Sequence, residues 1–335
     1  MEPITDLVHK YLRHDKKFPT VWCPGCGNGI ILGSMMRAID TLGWDKNNVV
    51  LVAGIGCAGR LPVYCDFNTL HTTHGRALTF ATGIKLARPE LNVVVVMGDG
   101  DSTAIGGNHF IHAARRNIDL TAIIFNNSVY GMTGGQYSPT SPYGAKATTA
   151  PYGNLEQSFN ISRLAEAAGA TFVARGTAYH AKMLDGLIGK ALLKKGFSVV
   201  EVIVHCHTYY GRQNRFASPV EMLFWQKEKA VRIEKAREMS PEEIGDRFPV
   251  GVLVDRDIGV DIVSGIDLSP YGQQVFSENV FGCSGIGARD QDSLVHASRP
   301  KHGRINELIT ARSSNDDDIT PILEAVHHGA ELGYV

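Results

Sequence analysis

The sequence predicts an α/β fold: a doubly wound, mainly parallel sheet with helices on both faces. Four or five short apolar runs rich in β-branched residues alternate with stretches of helical spacing, which is the pattern of buried parallel strands joined by helices. Gly-rich or polar turns directly follow several of these runs. Ligands of open α/β sheets bind outside the carboxyl ends of the strands, so these turns are the candidates for a functional site.

Length and composition fit one large domain or two small ones. The chain has 335 residues, of which 44% are hydrophobic, and a net charge of −1, so a nucleic-acid surface is not expected. Neither a membrane-length apolar run nor the apolar core of a signal peptide is found, which predicts a soluble cytoplasmic protein without a membrane partner. Six cysteines in a chain of this size favour metal or redox use over a disulfide framework.

The first motif, WCPGCG at 22–27, places Cys23 and Cys26 in a tight Pro-Gly turn after a polar lead-in over residues 1–20. Zinc knuckles and iron–sulfur sites both use such a pair. A thioredoxin-type redox pair is less suitable, because no strand precedes the motif. The apolar spacing that follows predicts a helix over 30–41.

Two further turns follow the strand predicted over 48–53. The turn GIGCAGRLP at 54–62 carries Cys57 and the cation Arg60, and HTTHGRA at 71–77 opens a helix that runs to about Arg88. His74 would lie at the N-terminus of this helix, where it could donate to a phosphate. A structural histidine that caps the turn is the alternative, and the residues alone leave both open.

Two polar turns carry the clearest chemistry. GDGD at 98–101 follows a strand predicted over 91–97, and two asparagines at 126–127 follow the next strand, over 120–125. Asp99 and Asn127 offer the oxygen ligands that Mg²⁺ prefers, and Gly98 and Gly100 would let the backbone approach a diphosphate. An isolated GDG would indicate an ordinary acidic turn, but two such turns at this spacing favour a site for Mg²⁺ and a diphosphate.

The rest of the chain continues the pattern and then loses it. A helix is predicted over 102–116, where the Gly106-Gly107 pair suggests close approach of another backbone, and the Ser-, Thr- and Pro-rich loop over 137–155 is long enough to be functional. Further helices are predicted over 161–168, 179–195 and 219–238, and further strands over 171–174 and 198–204. We therefore predict a lead-in (1–20), one main domain (21–240) and a C-terminal extension (241–335), for which packing on a partner subunit and partial mobility are both open.

Four cysteines are expected at one edge of the sheet: the pair Cys23 and Cys26, then Cys57 and Cys206, which follow strands. Four thiolates bind either tetrahedral zinc or an iron–sulfur cluster, and spacing alone leaves both open. The neighbouring diphosphate site favours the cluster, because the spacing of GDG and NN resembles the thiamine diphosphate motif, and a redox centre beside such a carbanion-forming cofactor has an evident use. No role is predicted for Cys65 or Cys283.

Taken together, these motifs resemble a known family. The GDG and NN spacing resembles the thiamine diphosphate motif. With WCPGCG, GIGCAGRLP, HTTHGRA, GDGDSTAIGGNHFIHAARRN, NNSVYGMTGGQ and VHCHTYYGR, the chain resembles the β subunits of 2-oxoacid:ferredoxin oxidoreductases. The match covers about residues 15–240. It is closest to the 2-oxoglutarate-acting (KorB-like) branch, chiefly through HFIHAARRNIDLTAIIFNNSVYGMTGGQ.

The resemblance implies roles for the matching residues. One 4Fe-4S cluster would be ligated by Cys23, Cys26, Cys57 and Cys206, and Mg²⁺ by Asp99, Asn127 and the backbone carbonyl of Val129. The residues that would line thiamine diphosphate are Ile55, Gly56, Cys57, Ala58, His74, Gly98, Gly100, Asp101, Tyr130, Gly131 and Met132. On the substrate side, Arg60 could pair with the distal carboxylate of 2-oxoglutarate, and the further candidates are Thr133 and Gln136. Some relatives carry Lys where this chain has Gly134, which leaves the exact substrate open.

The activity implied by the resemblance is the thiamine-dependent oxidative decarboxylation of 2-oxoglutarate to succinyl-CoA and CO₂. Electrons would pass through the cluster to ferredoxin, coenzyme A would take the acyl group, and members of the family also run the reverse direction. No candidate is found here for the glutamate that activates the aminopyrimidine, and the family places that domain on an α chain. The resemblance therefore implies an α₂β₂ assembly.

Other readings of the same residues remain open at this point. Pyruvate or a branched-chain 2-oxoacid would keep the chemistry and change the substrate. A non-redox thiamine enzyme of the acetolactate synthase type would share GDG and NN but would not need the cysteines. A zinc-stabilised subunit without catalysis would use the cysteines alone. A dinucleotide-dependent dehydrogenase is not favoured, because no G-x-G-x-x-G opens a helix after a strand.

Overall fold

The computed structural model describes residues 4–14 and 19–257, with side chains from residue 7 onward. All of these residues belong to one compact unit. The expectations for the segment after residue 257, which includes Cys283, lie outside the described residues. No helix in the described part of the chain is long and apolar enough to cross a membrane.

The core of the unit is one eight-stranded sheet, ordered β2-β1-β3-β4-β8-β7-β10-β9. The strands of the chain are β1 (Val49–Ala53), β2 (Asn68–His71), β3 (Asn92–Gly98), β4 (Thr121–Asn126), β5 (Val129–Tyr130), β6 (Gln136–Tyr137), β7 (Phe172–Thr177), β8 (Ser198–Ile203), β9 (Ala230–Arg232) and β10 (Phe248–Asp255). The short β5 and β6 form a separate antiparallel pair. Within the large sheet every pairing is parallel except that of β10 with β7, so the predicted mainly parallel sheet is confirmed.

Helices cover both faces of this sheet, as a doubly wound fold requires. They are α1 (Ile4–Tyr11), α2 (Asn28–Leu42), α3 (Ala77–Ala87), α4 (Asp99–Thr103), α5 (Gly107–Arg115), α6 (Ile161–Ala167), α7 (Ala181–Leu193), α8 (Pro219–Lys229), α9 (Ile233–Ala236) and α10 (Pro241–Ile244). Short 3₁₀ segments occupy Lys46–Asn48 and Ala58–Tyr64, and a π-helical turn occupies His207–Gly211. The helices α2 and α7 pack together on one face, and α3, α5 and α6 cover the other.

Strand β1 shows why the sheet is buried on both faces. Val49 and Leu51 pack in the apolar cluster with α2, whereas Val50 and Val52 pack in the cluster with α3. Successive side chains of a strand point to opposite faces, so a run of apolar residues without alternation places one apolar surface against each helical layer. This is the physical basis of the strand predictions.

The predicted helix over 102–116 is wrong in its continuity, because the chain forms α4 and α5 with a break at 104–106. The break lies where two backbones meet: a Cβ on Gly106 would lie 2.2 Å from the carbonyl oxygen of Asp101 and 3.1 Å from Gly75 Cα. The predicted close approach is therefore confirmed at Gly106. At Gly107 a Cβ would meet open space.

The predicted helix over 219–238 is also too long. It ends at Lys229, where the chain turns into β9 and then into the single turn α9. Strand β10 follows at the edge of β7, with Val250 and Val254 buried. Because β10 is part of the sheet, the sheet extends past the boundary predicted at residue 240. At the other end, α1 lies inside the predicted lead-in and buries Leu7 and Tyr11 in the core.

Candidate functional site

A cavity of about 260 Å³ opens at the carboxyl ends of β1, β3 and β4. It is lined by Asn28, Ile55, Gly56, Cys57, Ala58, His74, Gly98, Asp99, Gly100, Asp101, Phe125, Asn127, Val129, Tyr130, Gly131, Met132 and Thr133. Every residue predicted to contact thiamine diphosphate or Mg²⁺ is among them. The position matches the general rule for ligands of open α/β sheets.

Asp99 is the most unusual charged group of the cavity. It is only 3% exposed, and its Oδ2 accepts hydrogen bonds from Ser138 Oγ at 2.7 Å and Thr140 Oγ1 at 2.5 Å. Burial raises the pKa of this carboxyl group. Among the described residues, no Lys, Arg or His forms an ion pair with it. A buried carboxylate without its own cation fits a bound metal ion.

Asp101, two residues later, has a different environment. Its Oδ1 accepts the backbone N–H of Gly75 at 2.7 Å and lies 2.7 Å from His74 Nδ1. Its Oδ2 is buried and has no hydrogen-bond partner among the described residues. The contact with Asp101 raises the pKa of His74. The raised pKa favours the protonated, positively charged ring at the cavity, where the backbone of Ile55 is a further hydrogen-bond partner of His74.

The turn after β4 brings the other predicted metal ligands to the cavity. Asn127 Oδ1 accepts the backbone N–H of Val129 at 3.2 Å, and both residues line the cavity. Ser128 between them has φ of 58°. Residues other than glycine rarely adopt this left-handed backbone conformation, and those that do are often found at functional sites. The side chain of Asn126 instead donates to Glu201, at 2.9 Å, so only the second asparagine of the pair faces the cavity.

Tyr130 closes the cavity beside the two acids. A Cβ on Gly100 would lie 2.2 Å from the Tyr130 ring, so this position needs a glycine. Burial, together with the charges of Asp99 and Asp101, raises the pKa of Tyr130 to about 12. The phenol is therefore neutral at physiological pH and can act as a hydrogen-bond donor.

The four predicted cysteines lie near one another next to the cavity. A Cβ on Gly131 would lie 3.5 Å from the Sγ atoms of both Cys57 and Cys206. Burial and the three neighbouring thiol groups raise the pKa of Cys26 to about 12, and burial with the thiols of Cys206 and Cys23 raises that of Cys57 to about 11. These thiols would need a bound cationic centre to be held as thiolates.

His205 connects the two parts of the cysteine set. Its Nε2 donates to the carbonyl oxygen of Gly25 at 2.7 Å, and its Nδ1 lies 3.3 Å from the Gln226 side-chain nitrogen. Burial lowers the pKa of His205, so the ring is neutral and its tautomer is fixed by these two partners. The ring thereby joins the turn between Cys23 and Cys26 to the strand end at Cys206.

Two predicted substrate-side residues do not line the cavity. Arg60 is half-buried in the 3₁₀ segment after Cys57. Burial is the main cause of the lowered pKa of His71, and the positive charge of Arg60 lowers it further. The side chain of Gln136 accepts a hydrogen bond from Thr133 Oγ1 at 2.7 Å. Of these two residues, only Thr133 lines the cavity. The roles of Arg60, Thr133 and Gln136 in binding a substrate stay predictions.

Four residues of this region were not predicted from the sequence. Asn28 and Phe125 line the cavity, and Asn28 is 1% exposed with an Oδ1 that has no partner in the described part of the chain. Ser138 and Thr140 hold Asp99. The position of Asn28 directly after CxxC-G was a usable signal, whereas a Ser or Thr in a polar loop carries none.

Comparison with known proteins adds a family to this geometry. Residues 51–202 match the family model of the thiamine pyrophosphate enzyme C-terminal TPP binding domain. The 2-oxoglutarate synthase subunit KorB of Methanothermobacter marburgensis is 53% identical over 246 residues, covering 73% of this chain and 86% of that protein. The corresponding subunit of Archaeoglobus fulgidus is 55% identical over 237 residues, covering 70% and 86%.

A solved structure of a 2-oxoglutarate:ferredoxin oxidoreductase is also similar to this chain. It is the 2-oxoglutarate:ferredoxin oxidoreductase from Magnetococcus marinus with 2-oxoglutarate, coenzyme A and succinyl-CoA bound, and it matches with a TM-score of 0.69 and 31% identity over 88% of this chain and 96% of that one. The family model and relatives of this identity and coverage show that the chain belongs to the β subunits of the 2-oxoacid:ferredoxin oxidoreductases, in the KorB-like branch.

Proposed function

We propose that this chain is the β subunit of a 2-oxoglutarate:ferredoxin oxidoreductase, which converts 2-oxoglutarate, coenzyme A and oxidised ferredoxin to succinyl-CoA, CO₂ and reduced ferredoxin. The observation that carries the proposal is the double position of Cys57. It lines the cavity, and its thiol lies beside that of Cys206. A diphosphate site and a thiol-ligated centre that share one residue suit a reaction in which electrons leave the cofactor over a short distance.

The cavity would hold thiamine diphosphate through Mg²⁺, with Asp99, Asn127 and the carbonyl of Val129 as metal ligands. The uncompensated charge of Asp99 supports this assignment, and protonated His74 would place a positive charge beside the diphosphate. When bound, the cofactor supplies the electron sink that allows a 2-oxoacid to lose CO₂. The remaining predicted contacts, from Ile55 to Met132, would shape the cavity around it.

Cys23, Cys26, Cys57 and Cys206 would ligate one 4Fe-4S cluster. Four thiolates on a single zinc ion stand only about 3.8 Å apart, as follows from a Zn–S distance of about 2.3 Å. The described residues contain no group of three or more His, Cys, Asp or Glu arranged to hold one metal ion, although the thiols are close enough to affect each other's pKa. Thiols that approach one another without the close grouping of a zinc site favour a cluster, in which each thiolate binds a different iron, and a cluster suits a reducing compartment such as the cytoplasm.

The substrate and the partners rest on the relatives. KorB proteins are named as 2-oxoglutarate synthase subunits, and the matched solved structure contains 2-oxoglutarate and coenzyme A. An α subunit would complete the site in an α₂β₂ assembly. Pyruvate or a branched-chain 2-oxoacid is the second candidate. Gly134 has φ of 116°, a conformation that Lys rarely adopts, so a Lys at this position would be strained in this loop.

The experiment is an anaerobic assay of the chain co-expressed with its α partner, with coenzyme A, a one-electron dye and either 2-oxoglutarate or pyruvate. We expect dye reduction with 2-oxoglutarate and little with pyruvate. Arg60→Ala should lower use of 2-oxoglutarate more than any residual use of pyruvate. Reduction with pyruvate alone would contradict the substrate, and no reduction with any 2-oxoacid by protein that contains iron and thiamine diphosphate would contradict the reaction.

The cysteine assignment has its own test. Cys57→Ala should remove most of the iron and the broad visible absorption of the purified complex, because one ligand of the cluster is lost. Cys65→Ala is the matched control, since Cys65 is fully buried in the apolar core and donates only to the carbonyl of Leu61. Iron content and spectrum should stay unchanged in the control. Equal spectra for the two variants, or stoichiometric zinc in a colourless wild-type protein, would contradict the cluster.

A further inference from the structure

Ser138 and Thr140, in the polar loop after β6, make direct contacts with Asp99. We propose that these two hydroxyl groups are positioning residues that select Mg²⁺ over a larger cation such as Ca²⁺, by engaging one oxygen of Asp99 and leaving only the other for the metal. The inference rests on the proposed function, which makes Asp99 a ligand of the metal.

The contacts are short, and the three side chains are buried from solvent. Both hydroxyl groups reach the same atom, Asp99 Oδ2, at 2.7 Å from Ser138 and 2.5 Å from Thr140. Asp99 is 3%, Ser138 1% and Thr140 5% exposed. Hydrogen bonds to an ionised group are about twice as strong as neutral ones, and here water cannot easily replace them. The orientation of the carboxylate is therefore fixed before a metal binds.

Counting protons shows which oxygen remains for the metal. Thr140 Oγ1 has one proton and lies near three acceptors, Asp99 Oδ2 at 2.5 Å, Asn126 Oδ1 at 2.9 Å and Ser138 Oγ at 3.1 Å. The ionised carboxylate is the strongest and the closest acceptor for Thr140 and also the closest one for Ser138, at 2.7 Å, so it takes both protons. With the Ser138 proton, both lone pairs of Oδ2 are engaged. Neither hydroxyl engages Oδ1, and the further hydrogen bonds to this carboxylate come from the backbone of Gly100 and of Asp99 itself, so Oδ1 is the oxygen that the hydroxyl groups leave for a cation.

The loop is itself held in place, so the two hydroxyl groups are not free to move away. Ser141 Oγ accepts the backbone N–H of Ser138 at 2.8 Å and donates to the carbonyl oxygen of Ser128 at 2.7 Å. Asn154, 4% exposed, donates to the carbonyl oxygen of Ser141 at 2.9 Å. Residues 138–141 therefore connect the acidic turn after β3 with the asparagine turn after β4, which are the two turns that supply the proposed metal ligands.

One available oxygen has a consequence for the kind of cation. Mg²⁺ is small, requires near-octahedral geometry and binds few carboxylate oxygens, whereas Ca²⁺ accepts six to eight oxygens and often takes both oxygens of one carboxylate. A carboxylate whose second oxygen is saturated by hydroxyl groups can serve only as a one-oxygen ligand. The two hydroxyl groups therefore favour Mg²⁺ by restricting Asp99, without touching the metal.

The test uses Thr140→Val, which keeps the side-chain shape and removes the hydroxyl, in the full chain purified with its partner subunit and freed of metal and cofactor. Binding of thiamine diphosphate is followed by calorimetry while Mg²⁺ or Ca²⁺ is varied. We expect the apparent dissociation constant of Mg²⁺ to rise about 10- to 100-fold, as for other partners of metal ligands. That of Ca²⁺ should rise less, so that the Mg²⁺ preference narrows. Ser138→Ala should act in the same direction.

Two further variants separate positioning from general damage to the loop. Thr140→Ser keeps the hydroxyl and should retain most of the Mg²⁺ preference. Ser158→Ala removes a hydrogen bond from the same loop, that of Ser158 Oγ to the carbonyl of Ser141 at 2.8 Å, and should leave both dissociation constants unchanged. Circular dichroism confirms that each variant is folded.

The outcomes distinguish this inference from the proposed function. If wild-type protein binds thiamine diphosphate with Mg²⁺ and Thr140→Val binds Mg²⁺ within twofold of it, or weakens both cations equally, the inference is overturned. If wild-type protein shows no metal-dependent binding of thiamine diphosphate, the metal assignment of Asp99 itself fails, and the inference fails with it. A narrowed preference that Thr140→Ser restores supports the inference.

Discussion

Two carboxylates of the sheet, Asp99 and Glu201, are equally buried and have opposite surroundings. Glu201, in β8, accepts Arg175 Nε at 2.9 Å, Ser162 Oγ at 2.5 Å and Asn126 Nδ2 at 2.9 Å. Burial by itself would raise the pKa of Glu201, but Arg175 and these donors hold it below its ordinary value. Asp99, at the end of β3, accepts only hydroxyl groups among side chains of the described residues, and burial raises its pKa.

The difference separates a structural charge from a ligand-binding one. Burial of an ionised group is costly unless a counter-charge accompanies it. Arg175 supplies this counter-charge to Glu201, whereas no cationic side chain of the described residues pairs with Asp99. Asp101 is intermediate, because its partner His74 carries a charge only when protonated. A buried carboxylate without a paired Lys, Arg or His is thus a candidate ligand for an external cation. Burial alone does not identify it, because Glu201 is equally buried.

Breaking the paired case should give the largest effect on stability. Arg175→Met removes the cation and leaves Glu201 buried without a partner, so we expect the free energy of unfolding to fall by about 3–5 kcal/mol. Denaturant unfolding of the metal-free protein measures this. The double variant Arg175→Met with Glu201→Leu should recover most of the loss, because a hydrophobic pair has no charge to compensate.

A matched control is Arg163→Met, which removes an exposed arginine from α6 and should change stability by no more than about 0.5 kcal/mol. If Arg175→Met were as mild as this control, Glu201 would not depend on its own counter-ion. The contrast with Asp99 would then be lost.

Breaking the unpaired case should instead affect binding. Asp99→Asn keeps the shape of the side chain and removes the charge, so we expect the apparent dissociation constant of Mg²⁺, measured with thiamine diphosphate by calorimetry, to rise about 100-fold, or about 2.7 kcal/mol. The free energy of unfolding of the metal-free protein should not fall, since no ion pair is broken. Unchanged Mg²⁺ binding would show that Asp99 is not the ligand.

The surroundings of Asp99 could be predicted from the sequence in part, whereas the ion pair of Glu201 could not. The sheet, the acidic turn and the asparagine turn were predictable, because apolar β-branched runs and polar turns at their ends are local signals. Glu201 lies in the middle of such a run and is a visible exception, but its partner Arg175 lies on another strand. The pairing of these two residues depends on the order of β7 and β8 in the sheet, which no local pattern contains.

The loop that holds Asp99 was the least predictable part of the site. Ser138 and Thr140 lie about 40 residues from Asp99 in the chain, within a segment without periodic apolar residues. Its length suggested a function, but only the fold shows which hydroxyl groups are buried. The strand β10, which lies between β7 and β9, was missed for a related reason: most of its residues are only half-buried, so it lacks the continuous apolar pattern of the fully buried strands.

The smallest expected effect, and the sharpest form of the comparison, is in the pH dependence of stability. The pKa of Asp99 is raised in the folded protein, so above the ordinary value of about 3.9 the folded state binds more protons than the unfolded state. The stability contribution of this group therefore falls as pH rises towards the folded pKa. For Glu201 the folded pKa is lowered, so its contribution is fully present above about 4.3 and is lost as pH falls further.

Unfolding free energies of the metal-free wild type, Asp99→Asn and Glu201→Gln, measured between pH 4 and 8, test these opposite signs. The difference between wild type and Asp99→Asn should decrease with rising pH, by on the order of 1 kcal/mol for each unit of pKa shift. The difference between wild type and Glu201→Gln should be constant over most of this range and fall only near pH 4, because above its ordinary pKa of about 4.3 Glu201 is ionised in both the folded and the unfolded chain. Saturating Mg²⁺ and thiamine diphosphate should abolish the first trend, since the metal then supplies the counter-charge that the chain does not. A persistent trend in the loaded protein would mean that the cation binds elsewhere.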